Sequence, residues 1–146
     1  MLTNINYKGH TKESVDHLEF NRGKPRQCVL KYQDYKIIMF PTGNCRIMGC
    51  KRIIKEEELP YNIKIEKIQS LSITIDMKEI INLNELAQKI PCIYEPELFP
   101  ALRLIDFDPL CVNVFQSGKI VVLGIKTLEY DHIIHNIELY VLLMII

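Results

Sequence analysis

The chain is 146 residues long, enough for one compact domain or two very small halves sharing a core. Hydrophobic residues make up 48% and charged residues 25%, which supplies a core and argues against disorder. Lys+Arg and Asp+Glu are both 18, so the whole chain exerts no net pull on a polyanion, and nucleic-acid binding would need a locally basic surface.

In chain order, residues 4–7 read as a short strand, and Thr11 is placed to cap a short helix carrying Val15 and Leu18. Residues 27–32 and 36–40 read as two strands joined by a tight turn at Gln33-Asp34, and Gly43-Asn44 turns into a third strand over 45–48. The first half is thus a small antiparallel meander. Residues 52–61, with Glu56-Glu57-Glu58 and Pro60, read as a solvated polar linker. Over 63–77, Leu71, Ile73 and Ile75 alternate with Ser70, Ser72 and Thr74, as a strand with one apolar and one small polar face requires. Asn82 caps a helix with Leu83, Leu86 and Ala87 inward, which Pro91 ends. Thr127 is expected to open a last helix whose stripe is Ile133, Ile134, Ile137, Tyr140, Val141 and Met144.

Residues 94–126 resemble an earlier stretch. Thr42-Gly43 answers Ser117-Gly118, Gly49 answers Gly124, and Lys51 answers Lys126. Such duplication predicts two similar units related by approximate symmetry, repeat 1 over 1–60 and repeat 2 over 61–146 of a single domain. The long helix after Lys126 has no counterpart after Lys51.

Five cysteines, Cys28, Cys45, Cys50, Cys92 and Cys111, form an odd set without a CxxC pair, which fits reduced thiols in an intracellular protein. His132 and His135 lack cysteine or carboxylate partners at metal spacing, so no metal is expected. No glycine-rich phosphate loop, GxSxG or paired-carboxylate signature is present, so no catalytic residues and no cofactor are expected. The first residues lack the pattern of a signal peptide. The apolar run 139–146 is much shorter than the ~20 residues of a membrane span, so no membrane role is expected.

The segments Tyr94-Glu95-Pro96-Glu97-Leu98-Phe99-Pro100, Phe115-Gln116-Ser117-Gly118-Lys119 and Gly124-Ile125-Lys126 resemble the TATA-box-binding protein family. Phe40-Pro41-Thr42-Gly43 and Gly49-Cys50-Lys51 match it more loosely. The resemblance implies an α+β saddle: two pseudo-symmetric repeats forming one curved antiparallel sheet of about ten strands, with helices on the convex face and the first long helix missing. The concave face of that family binds the minor groove of A/T-rich DNA, kinking it with phenylalanine wedges.

The resemblance makes Phe99 and Phe115 the second-repeat wedge pair and Phe40 one member of the first, with Lys24 or Pro25 where its partner belongs. Asn4 and Ser70 fall at the family's central asparagines, and Asn6 and Ser72 at base-contacting valines. Val121 matches an apolar groove contact. Leu123, Arg46 and Met48 stand for threonine, valine and threonine, and Asn113 for leucine. Lys51, Lys119 and Lys126 keep phosphate-facing positions, while Asn44 loses one. Glu95, Glu97 and Leu98 match the stirrup gripped by transcription factor IIB. The implied partners are promoter DNA, a IIB-type factor and the RNA polymerase machinery, in the nucleus or at a cytoplasmic viral transcription site. The compact form and Ile-, Lys- and Asn-rich composition fit a virus or parasite with an A/T-rich genome. Without its helix, the first repeat is expected to leave part of its sheet uncovered, as a partner or dimer contact. The alternative is a protein-interaction module that keeps the saddle and has lost DNA binding, which the altered first-repeat wedge and the zero net charge favour.

Overall fold

The computed structural model describes residues 1–146, which divide into two compact units, 2–71 and 72–146, with Met1 belonging to the second. The first unit holds β1 (Leu2–His10), β2 (Cys28–Lys31), β3 (Lys36–Met39), β4 (Asn44–Cys50), a single 3-10 turn at Glu56–Glu58, and the start of β5 (Lys64–Asp76). Its hydrogen-bonded order is β2-β3-β4-β1-β5. The second unit holds the end of β5, then α1 (Leu83–Lys89), β6 (Cys92–Ile93), β7 (Leu102–Leu104), β8 (Cys111–Val114), β9 (Lys119–Ile125) and α2 (Asp131–Ile145). Its order is β5-β9-β8-β7-β6. The nine strands stand against the ten or so that the resemblance implies, and β5, second-repeat by sequence, contributes to both units.

The duplication reappears as backbone register. In the first unit Lys36 faces Met48, Ile37 faces Ile47, Ile38 faces Arg46 and Met39 faces Cys45. Seventy-five residues on, Cys111 faces Leu123, Val112 faces Val122, Asn113 faces Val121 and Val114 faces Ile120. Each hairpin turns on a glycine with positive φ, Gly43 at 89° and Gly118 at 92°. A Cβ at Gly43 would strike the Thr11 carbonyl, and one at Gly118 the Glu79 carbonyl, so only glycine fits either turn.

Alternation then sorts each sheet into two faces. In the second unit Leu71 hands over to Ile73 and Ile75, which are buried with Leu102, Leu104, Val112, Val114, Ile120 and Val122. Leu83 and Leu86 of α1 and Ile137 and Val141 of α2 complete that core. The Asn82 side chain accepts from Glu85 N at 3.1 Å, as its capping position predicts. The last helix starts at Asp131 rather than Thr127, because the Thr127 hydroxyl accepts from Glu129 N at 3.1 Å and closes a local turn instead. Ile133, Ile134, Tyr140 and Met144 are half-buried.

Two expectations for the first unit are overturned. No helix forms after Thr11, whose hydroxyl accepts from Glu13 N and donates to the Tyr61 carbonyl. Residues 52–61 are not a solvated linker but a strap. Ile54, Leu59 and Ile63 are buried, and a Cβ on Gly9 would meet Ile63 Cγ2 at 3.0 Å and Cys45 Sγ at 3.1 Å. Ile54 N donates to Tyr7 Oη at 3.1 Å, and Ile65 N to Glu56 Oε2 at 2.9 Å. Arg52 grips Glu58 with both terminal nitrogens, at 2.7 and 3.1 Å, and Asp34 with Nε at 2.7 Å. The uncovered first-repeat sheet expected from the missing helix is therefore absent: Ile5, Tyr7, Ile37, Met39, Cys45, Ile47 and Cys50 are all buried. Three apolar side chains spaced along an irregular segment do what a helix stripe does in the second unit.

Candidate nucleic-acid interface

The face of each sheet opposite its core carries the predicted contact residues. In the first unit, alternation with buried Ile5 and Tyr7 turns Asn4, Asn6 and Lys8 outward, and alternation on β4 does the same for Arg46. Register then sets Val29, Ile38, Arg46 and Lys8 in one cross-strand row. Asn6 Oδ1 accepts from Gly49 N at 3.1 Å, and its Nδ2 reaches Ser70 Oγ at 3.5 Å. Asn4 Oδ1 is buried and has no hydrogen-bond partner. An acceptor left open in this way favours a donor arriving from outside. Lys8 sits 3.7 Å from the Glu66 carboxylate, so this face also presents an acid. Met48 is half-buried and Lys51 exposed.

The second unit brings its predicted wedge together. Phe99 and Phe115 have ring centroids 6.1 Å apart at 67°, an edge-to-face pair. Two turns hold them. Leu98 N and Phe99 N both donate to the Glu95 carbonyl, at 2.9 and 3.0 Å, while Phe115 N donates to Lys119 O at 2.9 Å across the Gly118 turn. Phe99 is 50% exposed, and Leu98 beside it is 77% exposed. Glu95 and Glu97 are exposed on the same turn. On the sheet, Ile93, Arg103, Asn113 and Val121 form a cross-strand row, in which Arg103, Asn113 and Val121 answer Val29, Ile38 and Arg46 of the first unit. Leu123 faces outward opposite Cys111, Ser72 is half-buried, and Lys119 and Lys126 are exposed.

Phe40 is the counterpart of Phe115 and occupies the same turn, with its N donating to Asn44 O at 2.9 Å. It has no ring partner. Lys24 and Pro25 are exposed where the second unit has Phe99, and the arm's own phenylalanine, Phe20, lies under the Arg26 guanidinium at 5.8 Å.

Sequence reading missed Arg103, Ile93, Lys31 and Lys36. Lys31 and Lys36 face each other across β2 and β3, and no ion pair involves either. Like charges placed opposite one another repel, so this pair favours a bound anion. The alternation in Leu102-Arg103-Leu104 could have pointed to Arg103. Charge is also divided unevenly. Residues 2–71 contain 13 Lys+Arg and 8 Asp+Glu, a net +5, and residues 72–146 contain 5 and 10, a net −5. The overall neutrality is a cancellation between units.

All five cysteines are free, and burial pushes the Cys45 and Cys50 thiols up to about 11. No group of three or more His, Cys, Asp or Glu is placed to hold a metal ion.

A duplicated strand-hairpin unit with an aromatic pair at one edge defines an α+β protein built on an antiparallel sheet. Comparison with known proteins makes this specific. Residues 65–137 match the family model described as transcription factor TFIID (or TATA-binding protein, TBP). TATA-box-binding protein-like 1 of Entamoeba histolytica is 36% identical over 115 residues, covering 72% of this chain and 52% of that protein. TATA-box-binding protein 2 of Methanosarcina mazei is 32% identical over 133 residues, covering 76% of this chain and 72% of that protein. The chain thus spans about half the length of the Entamoeba relative. The structure of Methanococcus jannaschii TBP superposes with a TM-score of 0.71 over 94% of both chains, at 24% identity. The chain belongs to the TATA-binding protein family, whose members are non-enzymatic transcription factors, and it has that family's fold.

Proposed function

We propose that this chain is a transcription initiation factor that binds A/T-rich promoter DNA through the minor groove and bends it. In this reading Phe99 and Phe115 insert between base steps, and the energy of unstacking is offset by the protein surface that bent DNA covers. The observation that carries it is the edge-to-face Phe99–Phe115 pair, half exposed beside an outer face of small, apolar and amide side chains. Asn4, Asn6, Ser70, Ser72, Val121 and Leu123 line the groove floor, with Arg46, Met48 and Asn113 as departures from the family pattern and Phe40 as a lone first-repeat wedge. Lys51, Lys119 and Lys126 meet phosphates. Glu95, Glu97 and Leu98, exposed on one turn, recruit a IIB-type factor and through it RNA polymerase. Such a factor acts inside the cell, in the nucleus or at a cytoplasmic viral transcription site.

The second reading, an interaction module without DNA binding, is favoured by one feature: the second unit, which holds the intact wedge, carries a net −5. Titration of an A/T-rich duplex at several salt concentrations separates the two. The DNA reading expects affinity above that for a scrambled G/C duplex, falling with salt, and lost in the Phe99→Ala/Phe115→Ala double variant. Equal affinity for both duplexes leaves the interaction module. Binding that survives the double variant removes the wedge assignment.

A further inference from the structure

On the outer face of the second unit, Asn113 is 9% exposed, and its amide is poorly served. Its Nδ2 donates only to Cys111 Sγ at 3.6 Å, and its Oδ1 accepts only from the same thiol at 3.9 Å. Sulfur is a weak partner in both roles, so a buried amide with full donor and acceptor capacity stands nearly unsatisfied. Next to it in the cross-strand row, Arg103 donates through Nη2 to Asp108 Oδ1 at 3.1 Å, while its Nε is buried and has no partner. Both side chains line a cavity of about 320 Å³ whose other walls are Ile93, Glu95, Leu98, Phe99, Ala101 and Cys111. The remaining neighbours in the row are apolar: Ile93 on one side and Val121 on the other.

An A·T pair shows the minor groove acceptors only, whereas a G·C pair adds the guanine N2 amino donor. Acceptors suit Asn113 Nδ2 and Arg103 Nε but leave Asn113 Oδ1 with its thiol. A guanine supplies the missing donor. We infer that Asn113, with Arg103 beside it, selects a guanine at one base pair of the half-site covered by the second unit, next to the Phe99–Phe115 wedge. This deepens the DNA-binding reading and rests on it. A family member with leucine at this position would have no such preference, because an apolar side chain leaves the amino group unpaired.

The test substitutes each base pair of an A/T-rich duplex in turn by G·C and by inosine·cytosine, which lacks only the N2 amino group, and titrates the full chain. The expected result is one position where G·C binds about tenfold more tightly than inosine·cytosine, the size of one good base-edge hydrogen-bonding pair. Asn113→Leu should bring that ratio to one or below. A ratio at or below one at every position in the wild-type chain overturns the inference while leaving DNA binding intact, and so does a ratio that survives Asn113→Leu. Failure to bind any duplex overturns the DNA-binding reading and this inference with it.

Discussion

The two units share a hairpin register pair for pair, yet they differ in nearly everything placed upon it. The first is basic, closed by an irregular strap, and has a single phenylalanine at its turn. The second is acidic, closed by two helices, and has an aromatic pair. Duplication has preserved what backbone geometry demands: a period of two along the strands and a glycine where φ is positive and a carbonyl stands close. Side chains facing outward carry no such constraint. In the DNA-binding reading the difference becomes a division of labour. The first unit attracts the duplex, because phosphate affinity follows cationic charge, and the second distorts it.

The largest effect that can break this comparison lies at the aromatic pair. The Phe99→Ala/Phe115→Ala double variant is expected to abolish bending, measured by energy transfer between dyes at the duplex ends. Its affinity should fall on the order of a hundredfold, about 3 kcal/mol, the scale of unstacking one base step. Phe40→Ala should lower affinity only a few-fold, because a lone ring at an exposed turn has no aromatic partner to hold it in place. Equal losses from the two variants would mean that the units wedge symmetrically and that the proposed division is wrong.

What could be read in the sequence follows the same line. The alternation of Leu71, Ile73 and Ile75 and the two turn glycines repeat at fixed spacing, so strands, hairpins and duplication were legible. Phe99 and Phe115 lie 16 residues apart, and a family resemblance was needed to pair them; their rings lie 6.1 Å apart in the structure. The strap was not legible. Ile54, Leu59 and Ile63 have neither helical nor strand periodicity, and the run Glu56-Glu57-Glu58 looks solvated until Arg52, Ile65 N and Lys64 are found around it. The opposite charges of the two units were hidden by their cancellation, since a total carries no position. The strained satisfaction of Asn113 depends on Cys111 as its neighbour in space and has no signature in spacing.

A smaller effect sharpens the contrast in how the two cores are closed. Tyr7 Oη is the acceptor that seats Ile54 N, in a buried position. Tyr7→Phe keeps the ring but leaves that N–H without a partner, which should destabilise the chain by about 2 kcal/mol in chemical unfolding. On the next repeat's corresponding strand, Ile73 is fully buried and brings no polar side-chain group into the core. Ile73→Val should cost about 1 kcal/mol through lost burial alone. A Tyr7→Phe cost no larger than that of Ile73→Val would show that the strap is held by its apolar contacts and that its polar pin adds little.

The smallest expected effect concerns the ionic end of the strap. The hydrogen bonds from Arg52 hold the Glu58 carboxyl below the usual carboxylate range, helped by Lys55 N and opposed by partial desolvation. A carboxyl whose folded pKa is depressed contributes stability that is fully present above its unfolded value near ~4.3 and is lost as pH falls through the folded value. Acid should therefore loosen the first unit's strap, whereas no ion pair involves the helices that close the second unit, where the Asp106 carboxylate accepts from the neutral Tyr140 hydroxyl at 2.7 Å. Melting temperatures followed from pH 7 down to pH 3 should fall more steeply for the wild-type chain than for Glu58→Gln, in which the pair is already neutralised. The difference should be modest, because the pair is largely exposed and solvent screens it. Parallel curves would assign the hold of the strap to Ile54, Leu59 and Ile63, with Arg52 fixing only where the chain leaves β4.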